Sequence, residues 1–505
     1  MKSESSVTRF LLATERVGNA LPHPAVLFLI FMVLTMLCSW LLSYLGVSAV
    51  HPVKGDTLTV VNLLTASGFH ALINDLLKNF TGFAPLGTVL VAMLGFSFAE
   101  KSGLLSALLR ILILKSPRYL IVPTILVAGL VSHTASDIGY ILLIPLSALL
   151  FFNMGMHPLA GLAVCFAGVS GGFAANFLLS TADTLLSGLS QEAARIIDAD
   201  YVVTPLSNWY FMAASSVAIV LIGTLVAHRI TIPFLGKYKG EGVPEKIENL
   251  SAKEKRGLKW AGAVFLSLVA ILLWGLIPED GFLREIGTSK VLTSPVVKGV
   301  VAFIFIFGAL TGITYGRVVG TMRSQNQIIG AMQDAMATMA PYLVLVFFAA
   351  QFIAVFNASN IGVILAIHGS EFLKGFNLSG GVLMVGFVIF VCALDFLVSS
   401  ASAKWALIAP VFVPMFMLLG YSPELTQASY RIGDSVVNII SPVMSYFPLI
   451  LVFANKYDPK AKVGTIMALM FPYTLAFLMF WLLLLFLWIT MGWPLGPGAP
   501  LVFQP

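Results

Sequence analysis

The chain has 505 residues, 58% of them hydrophobic and only 10% charged, with 29 Lys and Arg against 23 Asp and Glu. A water-soluble globular domain carries about 25% charged residues, so the composition excludes one and indicates a polytopic membrane protein. The net charge of +6 does not argue for nucleic acid, because the basic residues cluster in short loops between apolar runs, as cytoplasmic loops do.

The chain opens on the polar stretch MKSESSVTRFLLATERVGNALPHP. A cleaved signal peptide differs, its apolar region following a short basic start. Pro24–Leu45 is the first apolar run; roughly 20 such residues cross a hydrocarbon core of about 30 Å as helix. Comparable runs begin near 80, 210, 259, 295, 339 and 464. Basic residues gather in the N-tail (Lys2, Arg9, Arg16), at 101–118, heavily at 229–258, at Arg317 and Arg323, and at Lys456, Lys460 and Lys462. The loops near 49–79, 186–209, 278–295 and 358–380 are acidic or carry few basic residues. By the positive-inside rule the N-terminus is cytoplasmic and the C-terminus lies outside.

Two apolar segments, 119–154 and 381–420, are too long for one span and carry polar patches at mid-length, SHTASD (132–137) and SSASAK (399–404). The alternation of loop charge requires an odd number of crossings through each region. The economical solution makes both segments re-entrant hairpins, followed by single crossing helices at 158–185 and 424–452. Irregular backbone at membrane depth is tolerated only where protein or water covers it, so both tips are expected to face a cavity. The count is nine spans plus two hairpins.

Shifting the chain by 265 residues sets Pro145 on Pro410, Gly155 on Gly420, Pro158 on Pro423 and Gly168 on Gly433. The paired spans cross in opposite directions by the charge rule. The chain therefore divides into a first half (1–228), a basic loop with a linking span (229–294) and a second half (295–505). Inverted repeats with interrupted helices in matching places point to a secondary transporter with its site near the midplane. No G-x-x-x-x-G-K-[ST] loop accompanies them, so ATP-driven pumping by this chain has no support. Cys38, Cys165 and Cys392 lie in apolar segments and form no disulfide or metal pattern.

An ionisable side chain at mid-bilayer costs about 2.5–3.5 kcal/mol on insertion scales, so each needs a partner or a task. His133, Asp137 and Asp183 stand in such segments of the first half; Asp395, Lys404, Arg431 and Asp434 do so in the second. Along 424–452, Gln427, Arg431, Asp434, Ser435, Asn438 and Ser441 recur at helical spacing on one stripe. Arg431 and Asp434, at i and i+3, are expected to pair. Such a pair either fastens one helix turn or prepares Arg431 to take a substrate carboxylate bidentately. In 158–185, Gly171 and Gly172 loosen the helix or admit a close neighbour, and Asn176, Ser180 and Asp183 follow on one face. Asp183 falls near the outer end, where a solvated interfacial acid is the plain alternative to an ion-coupling one.

The tips carry Ser132, Thr134 and Ser136, then Ser399, Ser400 and Ser402. Hydroxyls and freed carbonyls at helix breaks suit Na⁺, and helix N-termini there attract carboxylates; equally, serine merely caps a broken helix. Trp405 offers a stacking face or packs as an anchor. Lys404 snorkels, pairs with Asp395 or holds an anion. His133 reads as a hydrogen-bonded core residue. Asp183, Asp395 and Asp434 would also supply acids to an intramembrane enzyme, but no metal-binding or nucleophile pattern accompanies them.

The stretch SASAKWALIAPVFVPMFMLLGYSP, followed by RIGDS, with NFTGFAPLG (79–87), HPLAGL (157–162) and NWYFMAAS (208–215), resembles the AbgT family of p-aminobenzoyl-glutamate transporters along nearly the whole chain. The resemblance implies a homodimer in a bacterial cytoplasmic membrane, each protomer all-α with nine spans and two hairpins, similar to the divalent-anion/sodium symporters. It implies transport of the folate catabolite p-aminobenzoyl-glutamate and, in some members, export of sulfonamide antimetabolites. The family's functional positions are matched by Ser402, Trp405, Pro423, Arg431 and Asp434, with Asp183 as the first-half acid. One position departs, since some members carry Asn where Asp395 stands.

Taken together, Ser402, Trp405, Pro423, Arg431, Asp434, Asn438, Asn176 and Lys404 are expected to bind substrate. Asp183, Asp434, Asp395, Ser132, Thr134, Ser136 and Ser399 are expected to couple an ion, H⁺ or Na⁺, with no organic cofactor. A sodium-coupled carrier of another organic anion, such as a di- or tricarboxylate, is the alternative.

Overall fold

The computed structural model describes residues 22–50, 55–135, 139–238, 249–286, 291 and 294–503. The chain begins with α1 (Pro24–Tyr44), the strands β1 (Ser48–Val50) and β2 (Thr57–Thr59), α2 (Ala66–Thr81), α3 (Ala84–Lys101) and α4 (Leu104–Leu114). The strands pair antiparallel, with Ala49 opposite Leu58. Next come α5 (Ile121–Val131), a 3₁₀ turn (Ser132–Ala135), a π segment (Gly139–Leu143) and α6 (Ile144–Asn153). After these lie α7 (Pro158–Phe166), a second π segment (Ala167–Gly171) and α8 (Thr181–Ala194). The middle holds α9 (Trp209–Val226), α10 (Ile232–Leu235), α11 (Ala252–Leu276), α12 (Pro295–Lys298) and α13 (Val300–Val319). The rest is α14 (Gln325–Thr338), α15 (Ala340–Ala358), α16 (Ile361–Lys374), α17 (Gly380–Asp395), α18 (Ala401–Met417), α19 (Pro423–Val437), α20 (Phe447–Asn455) and α21 (Val463–Met491).

Among the described residues, seven helical stretches are long and apolar enough to cross a membrane: α1, α2 with α3, α9 with α10, α11, α13, α15 and α21. Each coincides with an expected span. Proline at the first turn starts α1, where the missing N–H costs nothing. Close backbone contact fixes α3 on α13: a Cβ on Gly95 would lie 2.5 Å from Phe305 Cα, and one on Gly312 2.4 Å from the Phe98 carbonyl carbon.

Several expected loops are in fact partly helical. The supposed loop 49–79 contains most of α2, which buries none of its residues. In 101–118, α4 buries Leu104, Ala107, Leu109 and Ile113 while Arg110 reaches Glu254 at 3.1 Å. Helix α8 runs through the start of the supposed acidic loop 186–209. In α4 and α8 the loop-like composition conceals a buried face.

Neither expected crossing helix is continuous. The first stops at its π segment and resumes at Thr181, leaving 172–180 non-helical; the second leaves 438–446 non-helical between α19 and α20. A shift of 265 carries the first break to 437–445, one residue from the second. The packing on the hairpin segments corresponds as well. Gly168 abuts Leu126 of α5, where a Cβ would lie 3.0 Å from the Leu126 carbonyl oxygen. At Gly433 a Cβ would lie 2.7 Å from both the Val388 carbonyl oxygen and Val391 Cβ of α17, and Leu126 falls on Val391 under the same shift. The main core joins these elements to α9 and α21 through residues such as Phe166, Ile219, Trp405, Tyr430 and Phe477.

Candidate functional site

All fifteen residues of α19 are buried, including its charged ones. Ser422 caps its start by accepting from the Leu425 N–H at 3.1 Å, and Pro423 occupies the first turn. The stripe foreseen on this helix meets three different neighbours. Arg431 and Asp434 do not pair with each other, contrary to expectation. Arg431 Nη1 lies 2.6 Å from Asp183 Oδ1, across the two halves of the chain. Asp434 Oδ1 lies 2.9 Å from Lys404 Nζ. The reason is geometric: α8 and α18 both pack on α19 as well as on each other, and each supplies an opposite charge within direct reach.

Asp183 is buried in the first turn of α8 rather than solvated at a helix end. Its Oδ2 accepts from the Ser180 N–H at 2.6 Å, the Ser180 hydroxyl at 2.8 Å and the Asn176 amide at 3.2 Å. This capping box, with the helix N-terminus behind it, holds the carboxylate in place beside Arg431. Arg431 Nη2 also donates to the Ala174 carbonyl at 2.9 Å, a group freed by the helix break. Among the described residues, Arg431 Nε has no acceptor. Ser435 accepts from the Ala174 N–H at 3.0 Å, so α19 holds the broken segment from both sides.

Lys404 forms the second knot. Its ammonium bridges Asp395 and Asp434 in a pocket of almost no exposure. The Tyr430 hydroxyl lies 3.1 Å from Asp434 Oδ1 and 2.6 Å from the Ala401 carbonyl. Asp395 Oδ2 has no partner among the described residues. The two knots together hold two cations against three carboxylates, Asp183, Asp395 and Asp434, one negative charge in excess.

Trp405, open in the sequence to a stacking face or a packed anchor, is fully buried. Tyr430 covers its ring at 4.4 Å between centroids, and its indole donates to Ser190 at 3.0 Å. From there a chain runs outward: Ser190 donates to Gln427 at 2.6 Å, Gln427 to Asn208 at 2.8 Å, and Asn208 to the Glu424 carbonyl at 2.8 Å. Tyr201 closes it by donating to the Glu424 carboxylate at 2.9 Å; burial, then the carboxylate, push that phenol's pKa up. Ser402 sits half-buried at the start of α18, 3.5 Å from the Ser400 hydroxyl. Ser132 donates locally to the Gly129 carbonyl at 2.6 Å. Thr134 belongs to the 3₁₀ turn, and Ser136 and Asp137 lie outside the described residues.

A cavity of about 270 Å³ opens where the two tips meet the two breaks. His133 and Tyr140 line it from the first tip, Ser399 and Ala401 from the second. Phe173 enters from the first break and Thr181 and Ala182 from the start of α8, with Asn438, Met444, Ser445 and Tyr446 from the second break. Its size lies just under the usual small-ligand range of about 300–1,000 Å³. Along the chain, the wall residues Phe173 and Ala182 adjoin Ala174, whose carbonyl Arg431 bonds, and Asp183. Ser399 and Asn438 were foreseen. The aromatic wall was not: Tyr140 stacks on Tyr446 at 4.3 Å and 9°, and Phe173 meets the His133 ring edge-on at 5.0 Å. A search for aromatics beside each helix break would have found it.

The sequence profile of the AbgT putative transporter family matches residues 9–503. The chain is 40% identical over 485 residues to the p-aminobenzoyl-glutamate transport protein of Escherichia coli, covering 96% of this chain and 95% of that one. Its structure matches that of the Alcanivorax borkumensis YdaH transporter with TM-score 0.90 at 44% identity, covering 94% of this chain and 100% of that one. It matches Neisseria gonorrhoeae MtrF, described among antimetabolite efflux pumps, with TM-score 0.92 at 49% identity, covering 97% and 100%. These relatives are transporters rather than enzymes. By profile, sequence and structure alike, the chain belongs to the AbgT putative transporter family.

Proposed function

We propose that the protein is an ion-gradient-driven secondary transporter of p-aminobenzoyl-glutamate and related aromatic amino-acyl carboxylates, and that sulfonamides sharing the aminophenyl group follow the same route. It works as a homodimer in the bacterial inner membrane, N-terminus inside and C-terminus periplasmic. Each protomer has nine spans and two re-entrant hairpins in halves related as an inverted repeat. The observation that carries this reading is the cavity shared by both tips and both breaks, whose wall residue Ala182 is followed in the chain by Asp183, the partner of Arg431.

In this reading Asp183 occupies the seat of a substrate carboxylate. When a glutamyl carboxylate takes Arg431, Asp183 loses its counter-charge and gains affinity for H⁺ or Na⁺. Anion and cation therefore bind together, by the reciprocity of coupled equilibria. The odd carboxylate of the Lys404 cluster, Asp395 or Asp434, is a second cation seat. Ser132 and Ser399 offer oxygens at the tips, while Asn176, Asn438, Ser402, Trp405 and Pro423 shape the site. The test is uptake of labelled p-aminobenzoyl-glutamate into proteoliposomes with pH and sodium gradients varied independently. Accumulation that follows one gradient and vanishes in Arg431→Ala supports the reading; none under any gradient, with folded protein, overturns it.

A further inference from the structure

His133 stands at the first tip, 4% exposed, and lines the cavity. Among the described residues its Nε2 has no hydrogen-bond partner. The backbone of Gly168 and Val169 lies against the imidazole. These residues lie in the π segment Ala167–Gly171, where widened helical turns release carbonyls from the ordinary ladder. A carbonyl can only accept, so donation from Nδ1 to that backbone would leave Nε2 a bare lone pair. A buried, unpaired acceptor is rare in folded proteins and calls for a partner.

We propose that His133 Nε2 accepts a hydrogen bond from the aromatic amine of the substrate and selects for it. The inference deepens the proposed function and rests on it. Phe173, Tyr140 and Tyr446 supply flat apolar walls in the same cavity, suited to the benzene ring between amine and carbonyl. The ligand then spans the site, its carboxylates toward Arg431 and its amine on His133. The 4-aminophenyl group is also what p-aminobenzoyl-glutamate and the sulfonamides have in common, so one acceptor accounts for one site taking both. A site built to bond a substrate N–H rejects the analogue lacking it far more strongly than an apolar pocket rejects a missing methylene.

The experiment compares proteoliposome uptake of p-aminobenzoyl-glutamate with its des-amino analogue, benzoyl-glutamate, and with the N,N-dimethylamino analogue, which keeps the ring substituent but has no N–H. In the wild type, kcat/KM for both analogues is expected to fall at least about tenfold below the amine. In His133→Phe the three should converge, through loss of the amine's advantage, and His133→Gln, which keeps an acceptor, should restore part of it. Equal wild-type transport of all three overturns the inference even where the variants do not fold. An undiminished preference in folded His133→Phe also overturns it. A wild type that moves none of the three overturns the transport reading itself, and this inference with it.

Discussion

Arg431 in the second half of the chain and Asp183 in the first are joined at 2.6 Å, both buried, the arginine from the middle of α19 and the aspartate from the first turn of α8. Removing one partner from a buried pair strands the other charge, at about 3–5 kcal/mol. Arg431→Met and Asp183→Leu should each lower stability by that order, and the double variant by less than their sum. Thermal unfolding of purified protein in one detergent measures this; additive losses would mean the pair is not coupled.

The Lys404 cluster predicts an asymmetry. Asp395→Asn removes the carboxylate in excess and leaves Lys404 matched with Asp434, so this variant should unfold no earlier than the wild type. Lys404→Met leaves two carboxylates facing each other and should cost about 3–5 kcal/mol. The same unfolding assay ranks them, and the reverse order would disprove the charge balance.

Ser190 is the joint between the Trp405 indole and Gln427. Ser190→Ala leaves a buried donor and a buried acceptor unmet, at about 1–3 kcal/mol. Ser190→Thr, which keeps the hydroxyl, should lose less. If alanine were the milder of the two, packing rather than hydrogen bonding would hold Trp405.

Gly168 and Gly433 let α5 and α17 touch the broken helices. An added Cβ at Gly433 would lie 2.7 Å from a carbonyl oxygen, whereas one at Gly464 meets nothing within 4 Å. Gly433→Ala is therefore expected to cost about 1–3 kcal/mol by overpacking, with Gly168→Ala following it. Gly464→Ala should stabilise by about 0.5–1 kcal/mol through helix propensity. Melting temperatures of the three variants check the contrast.

The long spans could be read from the chain because a run such as Met467–Thr490 has no other low-energy place than lipid, and lipid imposes one length. The short helices were hidden because α2 and α4 look like loops until their partners are known: Gln351 bonding Asn79 and the Leu76 carbonyl, Glu254 holding Arg110. Spacing along α19 found its polar stripe, yet no spacing rule says that Arg431 faces α8 while Asp434 faces α18. That is a property of three helices, and a periodicity describes only one. His133 was read as a satisfied core residue because a lone histidine gives no sign of which nitrogen is occupied; that depends on the carbonyls of a π segment invisible in the sequence.

The wholly buried α19 also bears on how the chain is made. With Glu424, Arg431 and Asp434 within fifteen residues, it is a poor candidate to enter lipid alone, since each such charge opposes insertion by about 2.5–3.5 kcal/mol at mid-membrane. Asp183, Asp395 and Lys404 all precede it in the sequence, so every charged partner has already left the ribosome when α19 emerges. Order of synthesis thus lets this segment enter a protein-lined berth with Arg431 and Asp434 matched, and a circular permutant that placed α19 first would deny it that berth.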